Sequence, residues 1–375
     1  MNKHKLKFAG ARTTTLRILP GRKPLRIGFL PENDCAPMVV AGEFGIFRKY
    51  DLDVELTSQA SWKQVHDKVI HGYLDAAHAP GMLPFLINLG LTPEKKECVA
   101  GLVLSLQGSA ITISRELWRL GVRDATTLRE QMWKDRHCKA YTFGVPCQLA
   151  SHYSLLCQWL RPAKSAPSRE VKIESVPSEQ MFPLLKLGYL DGFCSGEPWN
   201  SVAVQAGVGA CIATGAQLAP LHPEKVLMAR KDFAEKRADE HERLIAALLE
   251  ACCFCDQPEN RSILCQVLAQ PRYVNAPLEC LEPDLVGPFE PEQSQIRALH
   301  GLTIFHRAKA NDPTEAKASW LSGQLFKFLR WTRRPTALNG VFRPDIYRRA
   351  LRMVAEDFMQ APVLTGQSGR TLAGY

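Results

Sequence analysis

Three places in the chain show a strand running out into small residues. Asp191-Gly-Phe-Cys-Ser-Gly-Glu-Pro-Trp-Asn200 reads as a short buried strand that enters a Gly-Glu-Pro turn. Leu74-Asp-Ala-Ala-His-Ala-Pro-Gly81 has the same form. His222-Pro-Glu-Lys225 sets a lysine just ahead of the apolar Val226-Leu-Met-Ala229. Small residues at a strand end let the backbone come close to a guest. Open α/β sheets bind ligands at the carboxyl ends of their strands, so these three places are candidate site walls.

What is missing narrows the chemistry. There is no Gly-x-x-x-x-Gly-Lys-Ser/Thr phosphate loop, no Gly-x-Gly-x-x-Gly and no Gly-x-Ser-x-Gly elbow. No pair of carboxylates has a helical or strand spacing suited to acid–base work. His152 lies near Cys147 and Cys157, but one such pairing arises by chance among twelve cysteines and ten histidines. Cys252-Cys253-Phe-Cys255 sits in the helical run 240–255, where adjacent cysteines point in different directions, so it is no metal site. His66 and His71 are five apart, off the four-residue spacing of a helical zinc pair, and read as solvent-facing. The pattern favours binding over catalysis, with no metal and no cofactor.

At 375 residues the chain is too long for one ordinary core and fits two lobes. An apolar fraction of 46% with 23% charged residues is that of a globular protein, and no window is apolar enough to cross a bilayer. The basic start Met1-Asn-Lys-His-Lys-Leu-Lys-Phe8 is followed by no apolar h-region, which leads us to expect a cytoplasmic protein. Twelve cysteines, many inside apolar segments, agree with a reducing compartment. The net charge of +9 favours anionic ligands and acidic partners. Its densest part is Arg330-Trp-Thr-Arg-Arg334 with Arg343, Arg348, Arg349 and Arg352, read as a solvated helical face with no direct nucleic-acid contact.

Periodicity then gives the elements that must position the walls. Residues 1–24 read as a loose arm. Strands are expected at 25–30, 53–56 and 74–77, with helices at 38–50 and at 62–71, the latter capped by Ser61. Strand, helix and strand joined by short links signal a parallel α/β sheet. Residues 101–114 alternate for long enough to be a crossover. A second set repeats the order: strands at 140–145, 171–176 and 192–194, helices at 151–160 and 179–187. Residues 226–229 read as the return crossover, and the rest is mostly helical with a Pro-rich loop at about 269–291. We find no sequence-level repeat. The expected division is lobe I at 25–110 and 228–375, and lobe II at 111–227.

Several segments together resemble a known family. Gly28-Phe-Leu-Pro-Glu-Asn-Asp-Cys-Ala-Pro37, Ala60-Ser-Trp62, Asp75-Ala-Ala-His78, Gly196-Glu-Pro-Trp-Asn200 and His222-Pro-Glu-Lys225 are similar, in order and spacing, to the nitrate- and bicarbonate-binding proteins of bacterial ABC transporters (the NrtA/CmpA group). The resemblance covers roughly residues 25–350. It implies a type-2 periplasmic-binding-protein fold, two α/β lobes joined by crossovers near Ser109 and Val226 that close on a small anion.

Carried over position by position, the resemblance implies a site of four side chains. Lys225 supplies the charge, His152 and Gln107 supply N–H donors, and Trp62 supplies an indole N–H or a flat wall. Ser195 and Gly196 add close backbone contacts. Such a set suits nitrate, which only accepts hydrogen bonds; a bicarbonate site needs an added acceptor, or a metal with carboxylates. The family's Gly-Gly-Thr turn is replaced here by Val145-Pro-Cys-Gln-Leu-Ala150, which leaves nitrate against nitrite open. Without an export signal the chain resembles the cytoplasmic NasS-type nitrate/nitrite sensors, which hold an ANTAR-type RNA-binding antiterminator inactive. The alternative is the solute-binding component of a nitrate or bicarbonate importer. A third class, the thiamine-pyrimidine-precursor enzymes of the same fold, uses a site rich in histidine and cysteine that is not matched here.

Overall fold

Two sheets, each with its own strand set, organise the chain. The computed structural model describes residues 23–91, 96–136, 139–148, 150–163, 170–288, 302–329 and 338–360, the last six as backbone. The first sheet has the order β11-β4-β10-β3-β1-β2. Its strands are β1 (Leu25–Phe29), β2 (Val54–Ser58), β3 (Ala76–Pro80), β4 (Cys98–Gln107), β10 (Pro223–Arg230) and β11 (Thr303–Ile304). The second has the order β7-β6-β8-β5-β9. It is built from β5 (Ser109–Ser114), β6 (Tyr141–Val145), β7 (Val171–Ser175), β8 (Gly192–Gly196) and β9 (Gly209–Thr214). In each sheet three strands run parallel, and an antiparallel strand (β10 beside β3, β5 beside β8) comes in from the crossover. This is the two-lobed α/β architecture expected from the sequence.

The first lobe buries both faces of its sheet. Leu25, Ile27 and Phe29 pack with Leu244, Leu248 and Cys252 of the long helix Ala238–Asp256. Ala77, Ala79, Val226 and Met228 pack with Trp62, Val65 and Phe85 on the other side. The helix Trp62–Ile70 starts where expected, because Ser61 Oγ accepts from Gln64 N at 3.2 Å and Trp62, Val65 and Val69 make one apolar stripe. His66 lies on the buried side of that helix, which corrects its reading as solvent-facing.

The crossovers sit slightly off their expected places. The apolar run 101–114 is not one strand but two in different sheets, and the break falls at Gln107–Gly108, both with left-handed φ (61° and 89°). A Cβ at Gly108 would lie 2.5 Å from Thr303 Oγ1, so a side chain there is excluded as well as strained. Ser109 and Ala110 therefore belong to the second sheet, and Pro223–Leu227 to the first. The lobe boundaries move from after Ala110 to Gly108 and from Leu227–Met228 to Pro223 accordingly. Within the expected Pro-rich loop, Leu278–Leu285 is helical.

A short repeat that sequence reading missed becomes evident in the fold. Gly72-Tyr-Leu-Asp75 and Gly188-Tyr-Leu-Asp191 end equivalent helices and start β3 and β8, and both glycines have positive φ. Asp75 Oδ2 accepts from Arg26 N at 2.9 Å, and Asp191 Oδ2 accepts from Thr142 N at 2.8 Å. Each aspartate thus clamps its parallel strand to the neighbour at the same point of its lobe.

Candidate functional site

Lys225 is the centre of a buried charge cluster between the lobes. Its side chain is fully buried, and Nζ lies 2.8 Å from Asp34 Oδ2, 3.0 Å from Glu32 Oε2 and 3.3 Å from Glu224 Oε1. Strand alternation alone would send Glu224 and Lys225 to opposite faces. The ladder between β10 and β4 shifts register at Pro223–Lys225 and again at Lys225–Val226, and that irregularity lets both side chains serve one cluster. Glu32 and Asp34 come from the loop after β1, at the carboxyl ends of the parallel strands.

Three histidines border the carboxylates. His78 Nε2, from β3, lies 2.9 Å from Asp34 Oδ1. His222 Nε2 lies 2.9 Å from Glu224 Oε2. His152, near the start of the helix Ser151–Leu160, brings Nε2 to 3.5 Å from Glu224 Oε1. Hydroxyls of the second lobe complete the shell. Ser151 Oγ donates to Glu224 Oε1 at 2.6 Å, Ser109 Oγ to Glu224 Oε2 at 3.1 Å and Ser178 Oγ to Glu32 Oε1 at 2.7 Å. Trp62 forms one wall: its ring centroid is 5.4 Å from Lys225 Nζ and 5.4 Å from the His78 ring.

The ionisation states follow from burial set against neighbours. Burial pulls the Lys225 ammonium down, but Asp34, Glu32 and Glu224 outweigh it and hold the group well above its ordinary value. Burial likewise pushes Asp34 and Glu224 up; Lys225 and the adjoining histidines reverse this and keep both carboxyls low. His152 goes the other way, because burial outweighs Glu224 and favours the neutral ring. Trp62 Nε1, both His152 nitrogens (one of them a donor in the neutral ring) and Ser195 Oγ are buried without a hydrogen-bond partner among the described residues. Unpaired buried donors of this number are rare in a finished core and mark a place built for a guest.

The sequence-derived residues fare unequally. Trp62, His152 and Lys225 meet in the cluster. Gly196 lies against it, since a Cβ there would come within 3.0 Å of Glu32 Oε2. Ser195 is the neighbouring buried residue, and its carbonyl accepts from Asn200 Nδ2 at 2.9 Å. Gln107 is placed by its backbone, whose N–H donates to His222 O at 3.0 Å; the left-handed turn there breaks the strand alternation, and no contact of its side chain with the cluster occurs among the described residues. Glu32, Asp34 and Glu224 were missed as site residues although all three stand in the motifs quoted above. Their signal was a carboxylate inside the turn after β1 and another directly before the lysine. Lys225 is thus no lone cation but a triply paired one.

The lobes are shut around this cluster. Asn33 N donates to Glu197 O at 2.8 Å and Trp199 Nε1 to Pro31 O at 3.1 Å, both across the boundary. A cleft of about 330 Å³ adjoins the cluster, lined by Trp62, His66 and Leu86 from one lobe and by Cys147, Val176 and Ser178 from the other. Among the described residues no group of histidine, cysteine and carboxylate side chains has the arrangement of a metal site.

With this geometry in hand, the relationships of the chain are clear. The sequence profile of the NMT1-like family matches residues 20–269. The chain belongs to that family. Its similarity to the NrtA/CmpA group holds as well. The nitrate/nitrite binding protein NrtA of Synechococcus elongatus is 27% identical over 355 residues, covering 90% of this chain and 80% of that protein. The crystal structure of the periplasmic nitrate-binding protein NrtA from Synechocystis superposes with a TM-score of 0.82 at 27% identity, covering 91% of both chains. The nitrate import ATP-binding protein NrtC of Synechocystis is 32% identical over 337 residues, 88% of this chain and 50% of its own length. The chain therefore spans about half the length of the first curated relatives it matches. The alkanesulfonate-binding protein SsuA from Xanthomonas axonopodis, at 15% identity and a TM-score of 0.63, shares the fold alone.

Proposed function

We propose that the chain is a binding protein, not an enzyme, whose lobes close on nitrate or nitrite. The observation that carries this reading is the set of buried donors with no partner among the described residues: Trp62 Nε1 and His152 beside Lys225, and Ser195 Oγ next to Gly196. An acceptor-only anion satisfies such donors and a protein side chain here does not. The similarity to NrtA, a nitrate/nitrite binding protein, supports it. Calorimetric titration with nitrate, nitrite, bicarbonate and sulfate tests it. Heat with nitrate or nitrite is expected in preference to sulfate, and no heat with either overturns the reading.

We further read the chain as a cytoplasmic sensor of nitrate assimilation that releases an ANTAR-type antiterminator when the anion binds. Eleven described cysteines form no disulfide and eight of them are buried, which suits a reducing compartment. Only differential affinity for the closed form can shift a hinge, so a partner gripping the open form must weaken nitrate binding by the factor by which nitrate weakens the partner. The basic region at 330–352 suits contact with an acidic partner; its residues 330–334 lie outside the described residues, and Arg343 and Arg349 are already paired with Asp345 and Glu242. The second reading, capture for a nitrate or bicarbonate importer, is supported by the relatives' names and by the carboxylates that a bicarbonate proton needs. Cell fractionation separates the two. A pull-down with and without millimolar nitrate tests the sensor: a complex indifferent to nitrate, or no RNA-binding partner, leaves the importer reading.

A further inference from the structure

The charges around Lys225 do not balance, and the geometry shows by how much. His222 Nδ1 lies 2.7 Å from Ala219 O. A carbonyl only accepts, so Nδ1 carries hydrogen. His222 Nε2 then faces Glu224 Oε2 at 2.9 Å, a distance two bare acceptors do not keep, so a proton sits on that contact. The cluster therefore holds two positive charges, the Lys225 ammonium and this proton, against the three carboxylates Glu32, Asp34 and Glu224. His78 needs one hydrogen for its Nε2 contact with Asp34 Oδ1 at 2.9 Å, which adds no charge, and burial favours the neutral His152 ring, so the cluster is net negative before any anion arrives.

Nothing dilutes that charge. Lys225, His78, His152 and Glu224 have no exposed surface. From the first lobe the cluster is faced by Glu32 and Asp34, by His78 and by His222 and Glu224; from the second it is faced by His152, by Ser151, Ser109 and Ser178, and by Glu179 near Glu32. Burial pushes the Cys35 and Cys194 thiols up, so they stay neutral. Placing a further negative charge in a desolvated, net-negative site is prohibitive unless a counter-charge comes with it. The groups able to take one are the rings of His152 and His78 and the carboxylates beside them.

We propose that the site binds its anion together with at least one proton, and that Glu32, Asp34 and Glu224 with His78, His152 and His222 are the proton-accepting shell that sets this requirement. The inference rests on the anion reading of the same site. It makes the carboxylates specificity residues: they favour a monoanion, which needs one compensating proton, over a dianion, which needs two. Nitrate is too weak a base to bring a proton, so the protein draws it from solvent.

The test is calorimetry of the full chain with nitrate at pH 7.5 in buffers of widely different ionisation enthalpy, where the spread of heats counts protons. Uptake of about one proton or more is expected, with nitrate affinity falling about tenfold per pH unit for each proton taken. Glu224→Gln removes one negative charge and keeps the shape, so its nitrate affinity should persist to higher pH than that of the wild type. Nitrate binding with buffer-independent heat overturns the proton requirement and leaves the anion reading standing. An unchanged pH profile in Glu224→Gln overturns the role of that carboxylate. No nitrate heat at any pH from 5.5 to 8.5 overturns both.

Discussion

Lys225 is surrounded on three sides by carboxylates, and that changes what its removal does. A lone cation in an anion site would cost only affinity. Here Lys225→Ala strips the counter-charge from Asp34, Glu32 and Glu224, all buried. Breaking a buried pair from one side costs about 3–5 kcal/mol. We expect Lys225→Ala to lower unfolding stability by that order, read from urea denaturation, together with nitrate affinity. A variant as stable as the wild type would show that the carboxylates reach water or protonate freely. Trp62 separates the two effects better. Its Nε1 has no partner among the described residues, so Trp62→Phe removes a donor while keeping most of the wall. Nitrate affinity should fall about tenfold, near 1.4 kcal/mol, with stability changed by less than about 1.5 kcal/mol. Affinity unchanged by Trp62→Phe would assign the ring to the core alone.

At the scale of elements, the repeated Gly-Tyr-Leu-Asp carries a direct test. Asp191 accepts from Thr142 N across 2.8 Å and pairs with Lys139, so Asp191→Ala leaves the second amide of β6 unpaired. A loss of about 1–3 kcal/mol is expected, and Asp75→Ala should cost the first lobe a similar amount through Arg26 N. If thermal melts of Asp191→Ala match the wild type, water replaces the carboxylate. The parallel strands and their helices were legible because they obey simple periods: β1 and the stripe Trp62–Val65–Val69 need only local pattern. Ser61 declared its cap by residue type. The change of sheet at Gln107–Gly108 was hidden because the apolar alternation runs through it, and only the contact with Thr303, far along the chain, fixes the turn. The same holds for the site. Lys225, Trp62 and His152 could be named from motifs, whereas the charge balance depends on a register shift in β10 that puts Glu224 beside Lys225, and no local pattern encodes a shift of register. Gln107 shows the complementary effect, since its left-handed φ turns the side chain off the strand's normal alternation.

At the scale of the whole molecule, closure brings a second pair of buried carboxyls together away from Lys225. Glu197 follows β8 and its carbonyl accepts from Asn33 N across the lobe boundary, while Asn33 Nδ2 donates to Asp284 Oδ2 at 2.9 Å within the first lobe. Thr303 Oγ1 holds the same Asp284 oxygen at 2.9 Å, beside the Gly108 crossover. Burial, and then Asp284, push the Glu197 carboxyl up to about 8, so at neutral pH it is held protonated in the closed fold. The sign of its linkage is the reverse of a salt-bridged carboxylate. The folded value lies above the ordinary 4.5, so the native state keeps a proton that the unfolded chain releases. Stability from this group is full below pH 4.5 and is lost as pH rises through about 8. Glu197→Gln is neutral at every pH and keeps the shape, so it should escape that loss. We expect it to match the wild type near pH 4.5 and to exceed it by about 1–3 kcal/mol at pH 8, with urea midpoints as the measure. Equal gains at both pH values would mean that the amide improves packing and that no proton is held. A gain confined to high pH would show that the closed fold holds on Glu197 a proton that unfolding releases.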